Sequence, residues 1–156
     1  MTTKISIAGA KGRMGENLIQ SGLSNQNSQI VGVFDVTDID ETFLKKVGLP
    51  SNVKTSQEDS FVAADVIIDF TSPPALFSFT ESAVANNTAL IVGTTGLEEK
   101  HFKLLEQAGK STKVFYAPNM SFGVNSFFNL AIKSASQLIS IYLEIIETQH
   151  GHKKDA

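Results

Sequence analysis

Apolar runs rich in β-branched residues recur along the chain at 4–8, 29–34, 66–70, 89–92 and 113–116. Between them, residues 13–21, 74–86 and 98–110 mix polar and apolar positions at the spacing of a surface helix. Strand-like and helical patterns that alternate in this way predict a parallel sheet covered by helices, an α/β fold of the doubly wound kind. Pro73 and Pro74 suit the first turn of a helix, where a missing amide donor costs nothing. Residues 53–56 read as a short extra strand followed by a turn at 57–61, and 37–52 as a surface excursion with a short helix at 43–47.

The pattern changes after Pro118. Phe128, Ala131, Ile132, Ala135 and Leu138 recur at helical spacing and predict one amphipathic helix over 125–140, followed at once by a strand over 142–148. We therefore expect a first domain over 1–118 and, over 119–156, the interdomain helix and first strand of a second, α+β domain.

At 156 residues and 42% hydrophobic, the chain is long enough for one globular domain with its own core. Its formal charge of −3, with Lys and Arg scattered until the tail, gives no basic field and argues against nucleic acid as a partner. The absence of cysteine excludes a disulfide framework and any thiolate metal site. No uninterrupted apolar run approaches the ~20 residues of a membrane span, and the first one is too short for a signal-peptide core. A soluble, cytoplasmic protein with no membrane partner is expected.

Candidate chemistry gathers where the predicted strands end. Gly9, Gly12 and Gly15 follow the first strand and open the first helix. That spacing makes a tight turn, lets backbone amides approach a pyrophosphate and seats the helix against the sheet. Lys11 stands where the commoner fingerprint has its second glycine. Asp35 ends the second strand, about 20 residues on, where an acid accepts the hydroxyls of an adenine-linked ribose. Together these make the sheet Rossmann-like, whereas the glycine turn alone, or Asp35 alone, would also suit an ordinary turn. A carboxylate at Asp35 followed by Val36, with no arginine next to it, repels a 2′-phosphate and favours NADH over NADPH. Lys11 or Arg13 reaching a phosphate would act in the opposite sense.

Three more loops carry polar groups. Asp69, Phe70, Thr71 and Ser72 end the third strand, and Asp69 suits a ligand site and a turn or cap equally well. Gly93, Thr94, Thr95 and Gly96 end the fourth, where two hydroxyls among glycine amides suit a carboxamide or phosphate edge and also a hairpin-like turn. Residues 117–125 read as a linker between domains or as a ligand contact through Asn119, which offers a donor and an acceptor. Ligands of open α/β sheets collect outside the carboxyl ends of strands, so loops converging there point to a site. At the tail, His150, His152, Lys153 and Lys154 suit a substrate bearing carboxylates, or form a solvated charged terminus. A metal site is not expected, since His150 and His152 alternate faces on a strand and no third ligand is evident.

Taken in order, segments 8–15, 68–71, 93–96, 117–125 and 144–156 closely resemble the 4-hydroxy-tetrahydrodipicolinate reductase (dihydrodipicolinate reductase) family, and the resemblance covers the whole chain. It implies an NAD(P)H-dependent oxidoreductase that reduces a small cyclic dicarboxylate, 4-hydroxy-tetrahydrodipicolinate, to tetrahydrodipicolinate in the diaminopimelate route of lysine biosynthesis. It also implies a homotetramer built through the second domain. By resemblance, Gly9, Lys11, Gly12, Arg13, Met14 and Gly15 hold the cofactor phosphates and Asp35 the adenine ribose. Phe70, Thr71, Gly93, Thr94 and Thr95 surround the nicotinamide, and Asn119, Met120, Ser121 and Phe122 line the junction with the substrate site.

The same resemblance makes Lys153 the family lysine and His150 a substrate-contacting histidine. Gln149 departs from it, standing where the family has its general-acid histidine. An amide has no proton to give near neutral pH, so the proton comes from Lys153, His150 or water, or activity is reduced. The family segment continues into Pro-Ser-Gly-Thr where this chain ends at Ala156, so a C-terminally truncated chain with little turnover of its own is expected. Two other readings remain open: a non-catalytic dinucleotide-binding module or degenerate paralogue, and another two-domain Rossmann reductase.

Overall fold

The computed structural model describes residues 2–138, 144 and 146. The chain divides into two compact units, Met1–Tyr116 and Ala117–Ala156. In the first, strands β1 (Thr3–Ala8), β2 (Ser28–Phe34), β3 (Val66–Asp69), β4 (Ala89–Val92) and β5 (Val114–Tyr116) alternate with helices. These are α1 (Arg13–Ser24), α2 (Glu41–Val47), α3 (Gln57–Ala63), α4 (Leu76–Asn86) and α5 (Glu99–Ala108). The strands form one parallel sheet in the order β2-β1-β3-β4-β5, as the alternating pattern predicts.

Successive strand residues point to opposite faces, and two cores result. Ile7 and Val33 join Ile19 of α1 and Phe43, Leu44 and Val47 of α2 in one. Their chain neighbours Ala8 and Phe34 join Phe61 of α3, Leu76, Phe79 and Ala83 of α4 and Leu105 of α5 in the other. The second core is built on rings: Phe34, Phe61 and Phe79 have centroids 5.5–6.1 Å apart, with Phe34 and Phe79 edge to face, the arrangement that ring quadrupoles favour.

Three predicted elements differ from what is observed. The extra strand at 53–56 is a single parallel bridge, Lys54 to Gly32. Its two hydrogen bonds, Val33 N to Lys54 O at 2.8 Å and Lys54 N to Val31 O at 2.9 Å, lie on the edge of β2 away from β1. Beside it β2 carries an extra residue, for Ile5 pairs with Ile30 but Ser6 with Gly32. Counting this bridge as a vestigial strand, the sheet has the 3-2-1-4-5-6 order of a dinucleotide-binding fold. The turn predicted at 57–61 is the helix α3: Ser56 Oγ caps it by accepting from Asp59 N at 3.2 Å, and Phe61 anchors it with no exposed surface. The two prolines open a 3₁₀ turn, Pro73–Ala75, and α4 follows only at Leu76.

In the second unit, α6 (Phe122–Gln137) starts three residues before the predicted 125. Ser121 Oγ accepts from Val124 N at 3.4 Å, and Asn125 Nδ2 donates to the carbonyls of Asn119 and Ser121 at 3.0 and 2.8 Å, so polar caps rather than the apolar stripe fix where the helix begins. The strand predicted over 142–148 lies outside the described residues apart from Glu144 and Ile146.

Because Phe61 sits between two other rings, truncation leaves a cavity that no neighbour can fill. Phe61→Ala is expected to lower stability by about 3–5 kcal/mol, read from urea unfolding midpoints.

Candidate functional site

β1 has β2 on one side and β3 on the other, so the chain leaves its carboxyl end toward one half of the sheet and later returns to the other. Such a switch point leaves a crevice that no crossover helix covers. A cleft of about 910 Å³ opens there, lined by Gly9, Lys11 and Gly12 after β1, Asp35 after β2, and Phe70 and Thr71 after β3. The structure thus brings these six sequence-predicted residues to one cavity.

The turn after β1 is set by close backbone approach. Gly9 has φ +70°, and a Cβ on Gly15 would collide with Gly9 O and lie 2.7 Å from Ala10 Cα. α1 therefore starts directly on the turn, with Gly12 as its N-cap and no side chain closing its end. The first amides of an α-helix have no carbonyl partner within the helix. Left uncapped beside the cleft, and at the positive end of the helix dipole, they are donors for an anion. Arg13 and Met14 stand exposed in this first turn.

Asp35 joins the turn to the end of β2. Its Oδ2 accepts from Lys11 N at 2.9 Å and its Oδ1 from Thr37 N at 3.5 Å. The Lys11 ammonium donates to Asp38 O at 2.5 Å and lies 5.9 Å from the centre of the Phe43 ring. Val36 is 99% exposed.

On the other side of β1, Asp69 is fully buried. Its Oδ1 accepts from Thr71 N at 2.8 Å and Thr71 Oγ1 at 2.6 Å, and its Oδ2 from Thr94 Oγ1 at 3.1 Å. Thr94 Oγ1 in turn accepts from Thr71 N at 3.0 Å. Burial pushes the Asp69 carboxyl above the usual carboxylate range, and the hydrogen bonds from Thr71 and Thr94 pull it back in part. Gly93 lies under the Phe70 ring, into which a Cβ there would run. Gly93 and Thr94 are buried and Thr95 is exposed. The segment 93–96 is a strand-to-helix loop in a parallel sheet, not the hairpin-like turn that its composition also allowed.

Sequence reasoning missed part of the lining. Thr55, Ser56 and Gln57 reach the cleft because Lys54 bridges to β2, and Ser78 and Phe79 reach it from α4. The short apolar run around Val53 was the available signal for the former. For the α4 residues none existed, since Phe79 reads as a core position.

In the second unit, Asn119 Oδ1 accepts from Ser121 N at 2.8 Å, and Met120 and Phe122 are exposed. The side chains of Asn119 and Ser121 thus serve the start of α6. Gln149, His150 and Lys153 lie outside the described residues. Among the described residues no cluster of His, Asp and Glu forms a metal site, and no helix is long and apolar enough to cross a membrane.

A parallel doubly wound sheet with a glycine turn, an uncapped helix start and an acid after the second strand around one switch-point cleft defines a Rossmann-like nucleotide-binding domain. Solved structures agree at the level of fold. A myo-inositol 2-dehydrogenase from Lactobacillus plantarum has a TM-score of 0.62 at 15% identity, over 87% of this chain and 42% of that one. Dipicolinate-bound dihydrodipicolinate reductase from Paenisporosarcina sp. TG-14 has a TM-score of 0.68 at 25% identity, over 87% of this chain and 54% of that one. The family model for the dihydrodipicolinate reductase N-terminus matches residues 3–120, and the chain belongs to that family. Among curated relatives, the 4-hydroxy-tetrahydrodipicolinate reductases of Rickettsia akari and Alkalilimnicola ehrlichii are 37% and 39% identical over 97% and 100% of this chain. The chain spans 56% and 61% of their lengths.

The raised Asp69 carboxyl has a definite sign. Between the ordinary carboxylate value and the raised one, the folded chain holds a proton that the unfolded chain has released, so stability falls as pH rises through that window. Relative to Asp69→Asn, the unaltered chain is expected to lose stability as pH climbs from about 4, measured by urea unfolding at a series of pH values.

Proposed function

We propose that this chain is the cofactor-binding part of an NADH- or NADPH-dependent reductase that converts 4-hydroxy-tetrahydrodipicolinate to tetrahydrodipicolinate in lysine biosynthesis, working as a homotetramer in the cytoplasm. The observation that carries the reading is the uncapped start of α1 at the switch-point cleft beside Asp35, in a chain of the dihydrodipicolinate reductase family.

The residues present fit a dinucleotide. The Gly9-to-Gly12 turn and the uncapped first amides of α1 offer backbone donors to a pyrophosphate, with Arg13, Met14 and Gly15 in that first helical turn. Asp35 accepts two amide hydrogens at most, and a carboxylate has about four lone-pair positions, so acceptor capacity is left for ribose hydroxyls. Phe70, Thr71, Gly93, Thr94 and Thr95, on the far side of β1 from Asp35, flank the nicotinamide. Asn119, Met120, Ser121 and Phe122 border the substrate. When bound, the nicotinamide supplies the hydride. The chain's own residues bind, orient and exclude water, with His150 and Lys153 holding the substrate carboxylates and Lys153 stabilising or protonating the ring nitrogen. Gln149 orients the ligand without giving up a proton.

NADH is the preferred cofactor. Asp35 next to an exposed Val36 offers a 2′-phosphate only repulsion, and the Lys11 ammonium is engaged by the Asp38 carbonyl. Gln149 also favours a second reading, a non-catalytic dinucleotide-binding module.

Calorimetric titration is expected to give NADH a dissociation constant about tenfold below that of NADPH, with Asp35→Ala closing most of the gap. Loss of reduced-nicotinamide absorbance in the presence of the lysine-pathway substrate tests the reaction in the whole enzyme, and Gln149→His is expected to raise turnover by about tenfold or more. Tight NADH binding with no turnover by either form would favour the non-catalytic module.

A further inference from the structure

The sheet order divides the cleft between two sets of loops. Asp35 and Lys11 lie on the β2 side of the β1 turn, and Phe70 and Thr71 of the β3 loop on the other, where Thr94 of the β4 loop is hydrogen-bonded to Thr71. What fixes the second set is a single side chain. Asp69 has no exposed surface, yet among the described residues its side-chain partners belong to two loop residues: the amide and hydroxyl of Thr71 and the hydroxyl of Thr94. The Thr71 amide is shared between Asp69 Oδ1 and Thr94 Oγ1, which closes a ring of hydrogen bonds across the ends of β3 and β4. With its hydroxyl held, Thr71 turns its methyl onto the glycine turn, where a Cβ added to Gly9 would be only 2.8 Å from Thr71 Cγ2. The Phe70 ring is seated the same way over Gly93. Three loops from three strands are therefore spaced by contacts that lead back to one carboxyl group.

We propose that Asp69 is a positioning residue for the nicotinamide half of the cofactor, holding Thr71 and Thr94 in one arrangement and so fixing the spacing of the β1, β3 and β4 loops. The role rests on the dinucleotide reading above. A buried acid that served only to join two strands would be an expensive choice, because an apolar residue of similar volume avoids the desolvation cost. A carboxyl group does what an apolar residue cannot, by taking two donors from Thr71 and one from Thr94 and leaving neither side chain free to rotate. Preorganised loops spare the ligand the cost of ordering them.

The test compares NADH with ADP-ribose, which lacks the nicotinamide, by calorimetric titration of the chain. Asp69→Asn swaps an acceptor for a donor at nearly constant shape, Thr94→Val removes the hydroxyl, and Thr94→Ser restores it. Asp69→Asn and Thr94→Val are expected to weaken NADH binding about tenfold and ADP-ribose binding by less than about twofold, with Thr94→Ser close to the unaltered chain. Should Asp69→Asn fail to fold, the two Thr94 variants decide. Equal weakening of both ligands, or no weakening of either, overturns the positioning role while leaving the nucleotide reading intact. Binding of neither ligand by the unaltered chain overturns both.

Discussion

The start of α1 lies against the turn that follows β1, closer than any side chain would permit. Gly15 meets the backbone of Gly9 and Ala10 directly, and everything the cleft offers to a ligand depends on that contact. It aims the uncapped helix end at the crevice and brings Lys11 N within reach of Asp35. A methyl group at position 15 would push the helix away from the strand, and the amides, Asp35 and the cleft would lose their common geometry.

Beyond that contact, the site is organised by polar groups placed where burial makes them costly. Asp69 is held above its ordinary range by desolvation, so the folded chain loses some stability on ionising it. In return two loops acquire a single relative arrangement. Buried polar networks of this kind act as specifying devices when every member is satisfied, and here Thr71, Thr94 and Asp69 satisfy one another. The buried Ser60 hydroxyl is different: among the described residues it has no partner, and nothing in the structure accounts for it.

Much of the site was legible because glycine spacing and strand-end acids are local chemical statements. Gly9, Gly12, Gly15 and Asp35 announce a turn, a close approach and an acceptor wherever such a fold is built. That the strand expected at 53–56 shrinks to the single Lys54 bridge was not legible, since its partner Gly32 lies far earlier in the chain, beside the extra residue in β2. Likewise α3 is a helix because Ser56 caps it and the Phe34–Phe79 pair receives Phe61, a partnership across long sequence separations.

By itself the sequence determined the class of fold, the first half of the site and the family, because periodicity, turn residues and short motifs act over a few neighbouring positions. Only the tertiary structure decided which strand-end residues meet and what Asp69 does among them. Its partner Thr94 comes from the loop after another strand, and the burial that raises its carboxyl exists only once β3 is paired between β1 and β4 in the folded sheet. Long-range pairing and desolvation are properties of the packed chain, and no local pattern contains them.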